Sequence, residues 1–424
     1  MLPRQLYFLS EVMRTQWKDP AELKKLQEKK MRNILQYAYK NNRFYHDFFK
    51  KNNVSPSDFK TLKDIRKFPQ ATKRHMLENY PDNIVSKGYN HLEMIKASTS
   101  GSTGQNLNLV YDKRVYEYYM AVTYRNLSAL GYKPWHRLMY TRYEPFKIEN
   151  TFYQKFGVTP RKWISVWLST EEQINMLRKF KPHALTAYPS IIVEWAKKLK
   201  KRGEYFNIPV FIRSEAEILT KEAKELIEEI FGCPVYEEYG SAEFVVFAWE
   251  CQEGGYHMSV DNVYLEFLDD EGEPVAPGEE GEIITTALEA RAMPFIRYKI
   301  NDRGVPLDGQ CPCGRTLPLM KLVVGRDDDF LWLPSGKRVN PRQVIPHFEL
   351  APGIKEFKIV QEKKDYLSID IIPGPEFTKE EQQKLKKKLM GVIQEEITIE
   401  FNLRDEIPQG RHGRPRPILS KVKK

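Results

Sequence analysis

Four short stretches carry side chains whose types and spacing could do chemistry. The first is Ser98-Thr99-Ser100-Gly101-Ser102-Thr103-Gly104. Its two glycines permit tight backbone turns, so several N–H groups can converge on one anion, and its hydroxyls add donors. No lysine follows the last glycine, so this is not the usual ATPase loop. The bland alternative is a Ser/Gly-rich surface linker. The second, Tyr236-Glu237-Glu238-Tyr239-Gly240-Ser241-Ala242-Glu243, ends a strand pattern, where α/β sheets gather ligands. A carboxylate such as Glu243 suits Mg²⁺ on nucleotide phosphates, because Mg²⁺ prefers hard oxygen ligands, and Tyr239 suits stacking on a base. Alone, this stretch also reads as a turn with a solvated glutamate. The third, Arg297 to Gly304, offers Asp302 to both hydroxyls of a ribose, although an aspartate in a turn is more often an Asx turn. The fourth, Gly325-Arg326-Asp327-Asp328-Asp329, suits a hinge or a solvated acidic loop.

A fifth set is made of Cys251, His257, Cys311 and Cys313. Thiolates and imidazole in this number are the ligand types of a closed, structural zinc site. The Cys-Pro-Cys spacing is tighter than the common two-residue gap, and buried thiols beside a surface histidine are the alternative. Cys233 reads as an apolar filler. A disulfide framework is not expected in a large cytosolic chain.

These groups need elements to position them. The chain has 424 residues, 41% hydrophobic and 29% charged, with 27 Pro and 23 Gly scattered along it. That excludes a disordered tail, a collagen-like repeat and a coiled coil. No apolar run approaches a membrane span and the N-terminal stretch is too charged for a signal peptide, so the expected location is the cytoplasm. Helices are predicted over 21–51, with Met31, Ile34, Leu35 and Ala38 on one face, and over 220–231, capped by Thr220 and stopped by Gly232. Strands are predicted at Pro234–Tyr239, Tyr264–Leu268 and Glu282–Thr286. After about Gly325 come strands at Lys355–Val360, Tyr366–Ile372 and Ile397–Leu403, and a helix opened by Thr378 and Glu381. The expected fold class is α/β: a large multi-sheet N-terminal body over 1–325, with a helical opening over 1–90, and a small mobile α+β cap over 326–424 on a hinge near 326–329. The net charge of +10 is uneven: residues 1–75 hold 18 Lys/Arg against 7 Asp/Glu, and the last 14 residues hold 6 Lys/Arg and no acid. Solvated helix faces account for most of this, and no nucleic-acid-binding signature accompanies it.

In this order the four stretches resemble the adenylate-forming (acyl/aryl-CoA synthetase) superfamily. The segments EGEIITTALEARAMPFIRYKINDRG and CPCGRTLP resemble its phenylacetate–CoA ligase-like branch. The resemblance implies ATP-dependent activation of a carboxylate through an acyl-adenylate, then transfer to the thiol of coenzyme A. An amine, a carrier-protein thiol or a coenzyme is the alternative acceptor, and a non-catalytic nucleotide- or nucleic-acid-binding protein is a minor one. It implies ATP, Mg²⁺, CoA and a structural Zn²⁺. It places the ATP phosphates on Ser98–Gly104, adenine near Tyr239, Gly240 and Ser241, ribose on Asp302 with Arg326 beside it, Mg²⁺ on Glu243, and the hinge at Asp328. The loop around Gly336 would flank the thiol channel. Tyr140, Tyr188, Pro189 and Ser190 would wall the acyl pocket, with an aryl or arylacetic acid as the leading substrate class. In some members of the branch a set matching Cys251, His257, Cys311 and Cys313 holds zinc. A small-molecule acid and the acceptor are the expected partners. A homodimer stays open, and neither membrane nor nucleic acid is expected.

One departure stands out. The family carries a Gly-Lys near the C-terminus whose lysine reaches the carboxylate and α-phosphate; here the aligned pair is Gly413-Arg414. Arginine keeps the charge in a planar fork rather than a compact ammonium. Either Arg414 or Lys421 is expected to serve.

Overall fold

The computed structural model describes residues 3–99, 106–142, 154, 156–326, 330–407 and 417–422. Its centre is an eleven-stranded mixed sheet. Five strands run parallel: Leu138–Arg142, Arg161–Ser165, Ala184–Ala187, Phe211–Glu215 and Val235–Tyr239. Six antiparallel strands between Ala248 and Arg326 continue it.

Alternation along the parallel strands sends successive side chains to opposite faces. Met139, Ile164, Leu185, Ile212 and Val235 point to one face and pack against the crossover helices Thr170–Phe180, Pro189–Lys201 and Lys221–Phe231. The last of these matches its sequence reading: Thr220 caps it and Gly232 ends it in the left-handed region. The other face begins apolar, with Leu138, Ala184, Phe211 and Tyr236 against Leu127 and Leu130 at the end of helix Lys113–Ala129.

The N-terminal segment is helical, but not as one rod. Helix Pro20–Asn41 stops at Asn42, whose side chain accepts from the Tyr45 N–H and starts helix Arg43–Lys51. A competing side-chain cap inside an otherwise helical pattern breaks it there. The predicted stripe of Met31, Ile34, Leu35 and Ala38 is buried. So is Lys30. Its ammonium donates to the Tyr118 hydroxyl at 2.8 Å and the Asp261 carbonyl at 3.0 Å and lies 2.8 Å from Glu289. Arg114 reaches the same Glu289, Arg4 pairs with Glu117, and Arg125 pairs with Asp261 at 2.6 Å. Part of the basic N-terminus therefore meets body carboxylates. Other basic residues lie on exposed helix faces, as expected.

The C-terminal unit has its own core. Strands Ile354–Lys363, Tyr366–Pro373 and Thr398–Leu403 form, with Ile418–Ser420, a four-stranded sheet, backed by helices Pro341–Glu349 and Lys379–Ile393. The strand at 418–420, paired in parallel with Ile359–Gln361, is one the sequence pattern did not show. Thr378 caps its helix as predicted, accepting from the Glu381 N–H. Where this unit meets the body, Glu349 lies 3.5 Å from the Thr220 hydroxyl. Burial first, then the neighbouring Glu217, pushes the Glu349 carboxyl up to about 7 against Lys197 and Thr220. No helix among the described residues is long and apolar enough to cross a membrane.

Candidate active site

Three segments converge at the carboxyl ends of the parallel strands, where open α/β sheets bind ligands. The strand Val235–Tyr239 leads into a tight turn in which the Phe247 N–H donates to the Tyr239 carbonyl at 2.8 Å and the Val245 N–H to the Ser241 carbonyl at 2.8 Å. Gly240 is required there. A β-carbon on it would sit 1.9 Å from the Val245 carbonyl oxygen. Inside the turn the Ser241 hydroxyl is buried with no hydrogen-bond partner among the described residues, which suits a ligand.

The second segment is the hairpin of Ile95–Ser98 with Asn108–Tyr111. Its tip is closed by the Thr99 N–H on the Leu107 carbonyl and by the Leu107 N–H on the Thr99 hydroxyl, both at 3.0 Å. Ser98 and Thr99 thus stand at the mouth of the Gly-rich loop. Ser100, Gly101, Ser102, Thr103 and Gly104 lie outside the described residues. The hairpin is tied to the turn by the Tyr111 hydroxyl, which donates to the Ala242 carbonyl. Burial pushes that phenol well up, and Glu243 is among the charges it feels. Glu243 is half-buried beside the hairpin.

The third segment is the strand Tyr298–Leu307. A bulge at Asp302, opposite the backbone of Arg326, and a left-handed Asn301 turn it locally. The Tyr239 hydroxyl donates to Asp302 Oδ2 at 2.8 Å. Tyr239, Gly240, Ser241, Glu243 and Asp302 are thereby brought together, with Ser98 and Thr99 on the attached hairpin. The side chain of Arg326 is outside the described residues, as are Asp328 and Arg414. Lys421 sits at the end of the edge strand of the C-terminal unit, 2.6 Å from Glu362 and exposed. Gly336 takes the left-handed conformation in the hairpin of Leu331–Trp332 with Arg338–Val339.

Of the predicted acyl-pocket residues, Tyr188 is buried, its N–H on the Thr141 hydroxyl at 3.2 Å. Pro189 opens a helix, and the Ser190 N–H donates to Glu217 at 3.0 Å. The Tyr140 ring lies under the Arg142 guanidinium, 5.2 Å from its centroid. Sequence reasoning gave no role to the charged groups on the parallel strands: Arg142, Arg213, Glu215 and, within the second stretch, Glu238. Charges at inward positions of an otherwise apolar strand are uncommon unless paired, and that anomaly was the available signal.

The Cys/His set is assembled apart from these segments. Its four ligand atoms lie within 4.8 Å of one another. Cys251 and Cys311 sulfurs are 3.5 Å apart, and Cys313 Sγ is 3.2 Å from His257 Nε2. A disulfide needs about 2.05 Å. Tetrahedral zinc with Zn–S near 2.3 Å separates its sulfur ligands by about 3.8 Å, which these donors fit. The other ring nitrogen, Nδ1, is 3.2 Å from the Leu317 carbonyl, the kind of outer contact that orients a ligating imidazole. Burial lowers His257 to about 4, so it is neutral, as a ligand must be. Gly255 leaves the space the cluster uses, since a β-carbon there would come within 2.5 Å of Cys311 Sγ.

The AMP-binding enzyme family matches residues 158–287, and the CapK C-terminal domain family matches residues 331–421. A phenylacetate–coenzyme A ligase of Escherichia coli is 29% identical over 353 residues, covering 78% of this chain and 79% of that protein. Protein CapK of Staphylococcus aureus is 26% identical over 423 residues, covering 95% of this chain and 90% of that protein. A crystal structure of 2-hydroxyisobutyryl-CoA ligase in the postadenylation state shares the fold, with a TM-score of 0.77 at 18% identity over 96% of this chain and 91% of that one. The same enzyme in the thioesterification state gives 0.64. These matches support the adenylate-forming superfamily. Within it, they support the phenylacetate–CoA ligase-like branch.

Proposed function

We propose that the chain activates a carboxylic acid with ATP, forming an acyl-adenylate and releasing pyrophosphate, and then passes the acyl group to the thiol of coenzyme A. The observation that carries this is the junction of the Tyr239–Glu243 turn, the Thr99 hairpin and the Tyr239–Asp302 hydrogen bond. The relatives named as CoA ligases support the same reading.

A carboxylate is a poor acyl donor because its leaving group is an oxide; the adenylate replaces that with a good one. The protein's task is to fix the two reactants in line, neutralise phosphate charge and exclude water. Asp302 accepts from the ribose hydroxyls while Tyr239 holds its other oxygen. The Gly-rich loop cradles the phosphates, and Glu243 holds the Mg²⁺ that neutralises them. Arg326 lies beside the ribose site. The segment around Asp328 is the hinge, residues 326–424 form the moving cap, and the Gly336 hairpin flanks the thiol's approach. Arg414 or Lys421 supplies the cation at the α-phosphate; Lys421, now on Glu362, would need the cap to turn. Cys251, His257, Cys311 and Cys313 hold a structural zinc, and the enzyme works in the cytoplasm. An aryl or arylacetic acid is the class that the phenylacetate ligases among the relatives suggest.

The test is ATP–pyrophosphate exchange across a panel of carboxylic acids, followed by CoA and thioester detection. Exchange that requires an acid, with thioester formed on adding CoA, is expected. No exchange with any acid overturns the reading, and exchange without CoA capture moves the acceptor to an amine, a carrier thiol or a coenzyme.

A further inference from the structure

The layer between helix Lys113–Ala129 and the sheet changes character along the strands. At the strand starts it is closed and apolar, with Leu127, Leu130, Leu138, Ala184 and Phe211 in contact. Toward the strand ends the same face carries Tyr140, Arg142, Thr186, Arg213, Glu215 and Glu238, by the two-residue alternation that puts Leu138, Ala184 and Phe211 there. Arg213 donates to Glu238 at 2.7 Å, Arg142 donates to Glu215, and Asn126 of the helix reaches Glu238 at 3.4 Å. Arg142 also feels Tyr188, and Tyr140 feels Arg142 and Arg161.

Several polar atoms of this layer are left over. The hydroxyls of Thr123 and Thr186 and Arg213 Nε are buried with no hydrogen-bond partner among the described residues, as is Arg161 Nε at the strand start beside Leu138. Thr186 is 1% exposed and Arg213 is 5% exposed. Buried polar atoms are nearly always paired, so several orphans in one layer mark a place that a polar ligand completes. An unsubstituted aryl or alkyl group would leave them orphaned.

We infer that the acyl pocket selects an acid whose body carries hydrogen-bonding substituents, hydroxyl groups above all, with Thr123, Thr186 and Arg213 as the specificity-determining residues. This rests on the carboxylate-activating reading for the chemistry, while the pocket itself can be tested by binding alone. A site built to bond a hydroxyl rejects the analogue that lacks it, because its own polar groups are then left unpaired.

The test uses matched pairs: phenylacetate against 3,4-dihydroxyphenylacetate, and butyrate against 3-hydroxybutyrate. Calorimetric affinity is measured on the full chain without ATP, and kcat/KM by pyrophosphate exchange. The hydroxylated member of at least one pair is expected to bind about tenfold or more tightly, a preference that Thr186→Val with Thr123→Val reduces to about twofold. A thermal melt of that variant no lower than the parent's separates this from misfolding. Equal or better binding of the unsubstituted acids, or a preference unmoved by the variant, overturns the inference. Exchange lost with every acid while the binding preference persists would instead overturn the activity and leave the pocket assignment supported.

Discussion

Behind the body, under the N-terminal helices, Arg4, Lys30, Arg114 and Arg125 each meet a carboxylate: Glu117, Glu289 (shared by Lys30 and Arg114) and Asp261. In front, beside helix Lys113–Ala129, Arg142 and Arg213 share Glu215 and Glu238, Arg161 has no carboxylate partner among the described residues, and two threonine hydroxyls are orphaned. Both regions bury charge at a desolvation cost. The rear one gives each of its four cations a carboxylate, leaving Arg114 Nη1 and single oxygens of Glu117 and Asp261 unpaired among the described residues. The front one stays open on the side where the substrate is proposed to enter. A closed polar network clamps two parts of a fold, whereas an open one is a template for something else.

The largest expected effect breaks the rear network. Lys30→Met leaves Glu289 with Arg114 alone and takes the ammonium from the Tyr118 hydroxyl and the Asp261 carbonyl, and removing one member of a buried pair costs about 3–5 kcal/mol. Urea unfolding should show this loss, with the KM for ATP of the folded protein unchanged. Next, at the front, Asp302→Asn should raise the KM for ATP by about 10–100-fold, the worth of one charge-assisted hydrogen bond at about 1.5–3 kcal/mol, with little change in the urea midpoint. An equal loss of stability would mean that Asp302 belongs with the closed network.

The contact between the body and the C-terminal unit at Glu349 comes next. Its folded pKa of about 7 lies above the ordinary 4.5, so the native state binds the extra proton between those values. The contact is therefore favoured below about pH 4.5 to 5 and weakens as pH rises through 7. Hydrogen exchange of residues 341–349 should quicken from pH 6 to pH 8 after correction for intrinsic rates, and Glu349→Gln should flatten that dependence. The smallest effect is on the surface: Lys421→Ala removes an exposed pair and should cost under about 1 kcal/mol. A fall in pyrophosphate exchange larger than this variant's stability loss would then report on chemistry.

Much of this was legible in advance. Local signals were strong where one residue does one job: Thr220 and Gly232 bound a helix, Thr378 opens another, and the alternation at Tyr366–Ile372 gives a strand. Tyr239, Glu243 and Asp302 were picked by residue type, and only the sheet brings Asp302 to Tyr239. Asn42 was not recognised as a break, because its cap competes with an uninterrupted apolar stripe. The strand Ile418–Ser420 is too short for any periodicity to show and is defined by its partner at 359–361. The charged front layer was missed because an arginine on a strand has no local signature; what it faces is decided by helix Lys113–Ala129, far off in sequence.

The Lys30 clamp also sets an order of assembly on the ribosome. Its hydrogen bond to the Asp261 carbonyl spans 231 residues, and its ion pair with Glu289 reaches farther still. At about 5–20 residues per second, the chain must be extended for on the order of ten seconds or more after Lys30 is made before those partners exist. Until then the apolar stripe beside it has no body to cover. Nascent chains arrested before residue 261 should be cut readily within residues 20–51, and chains released past residue 330 should resist; early resistance would show that the helical opening folds without its clamp.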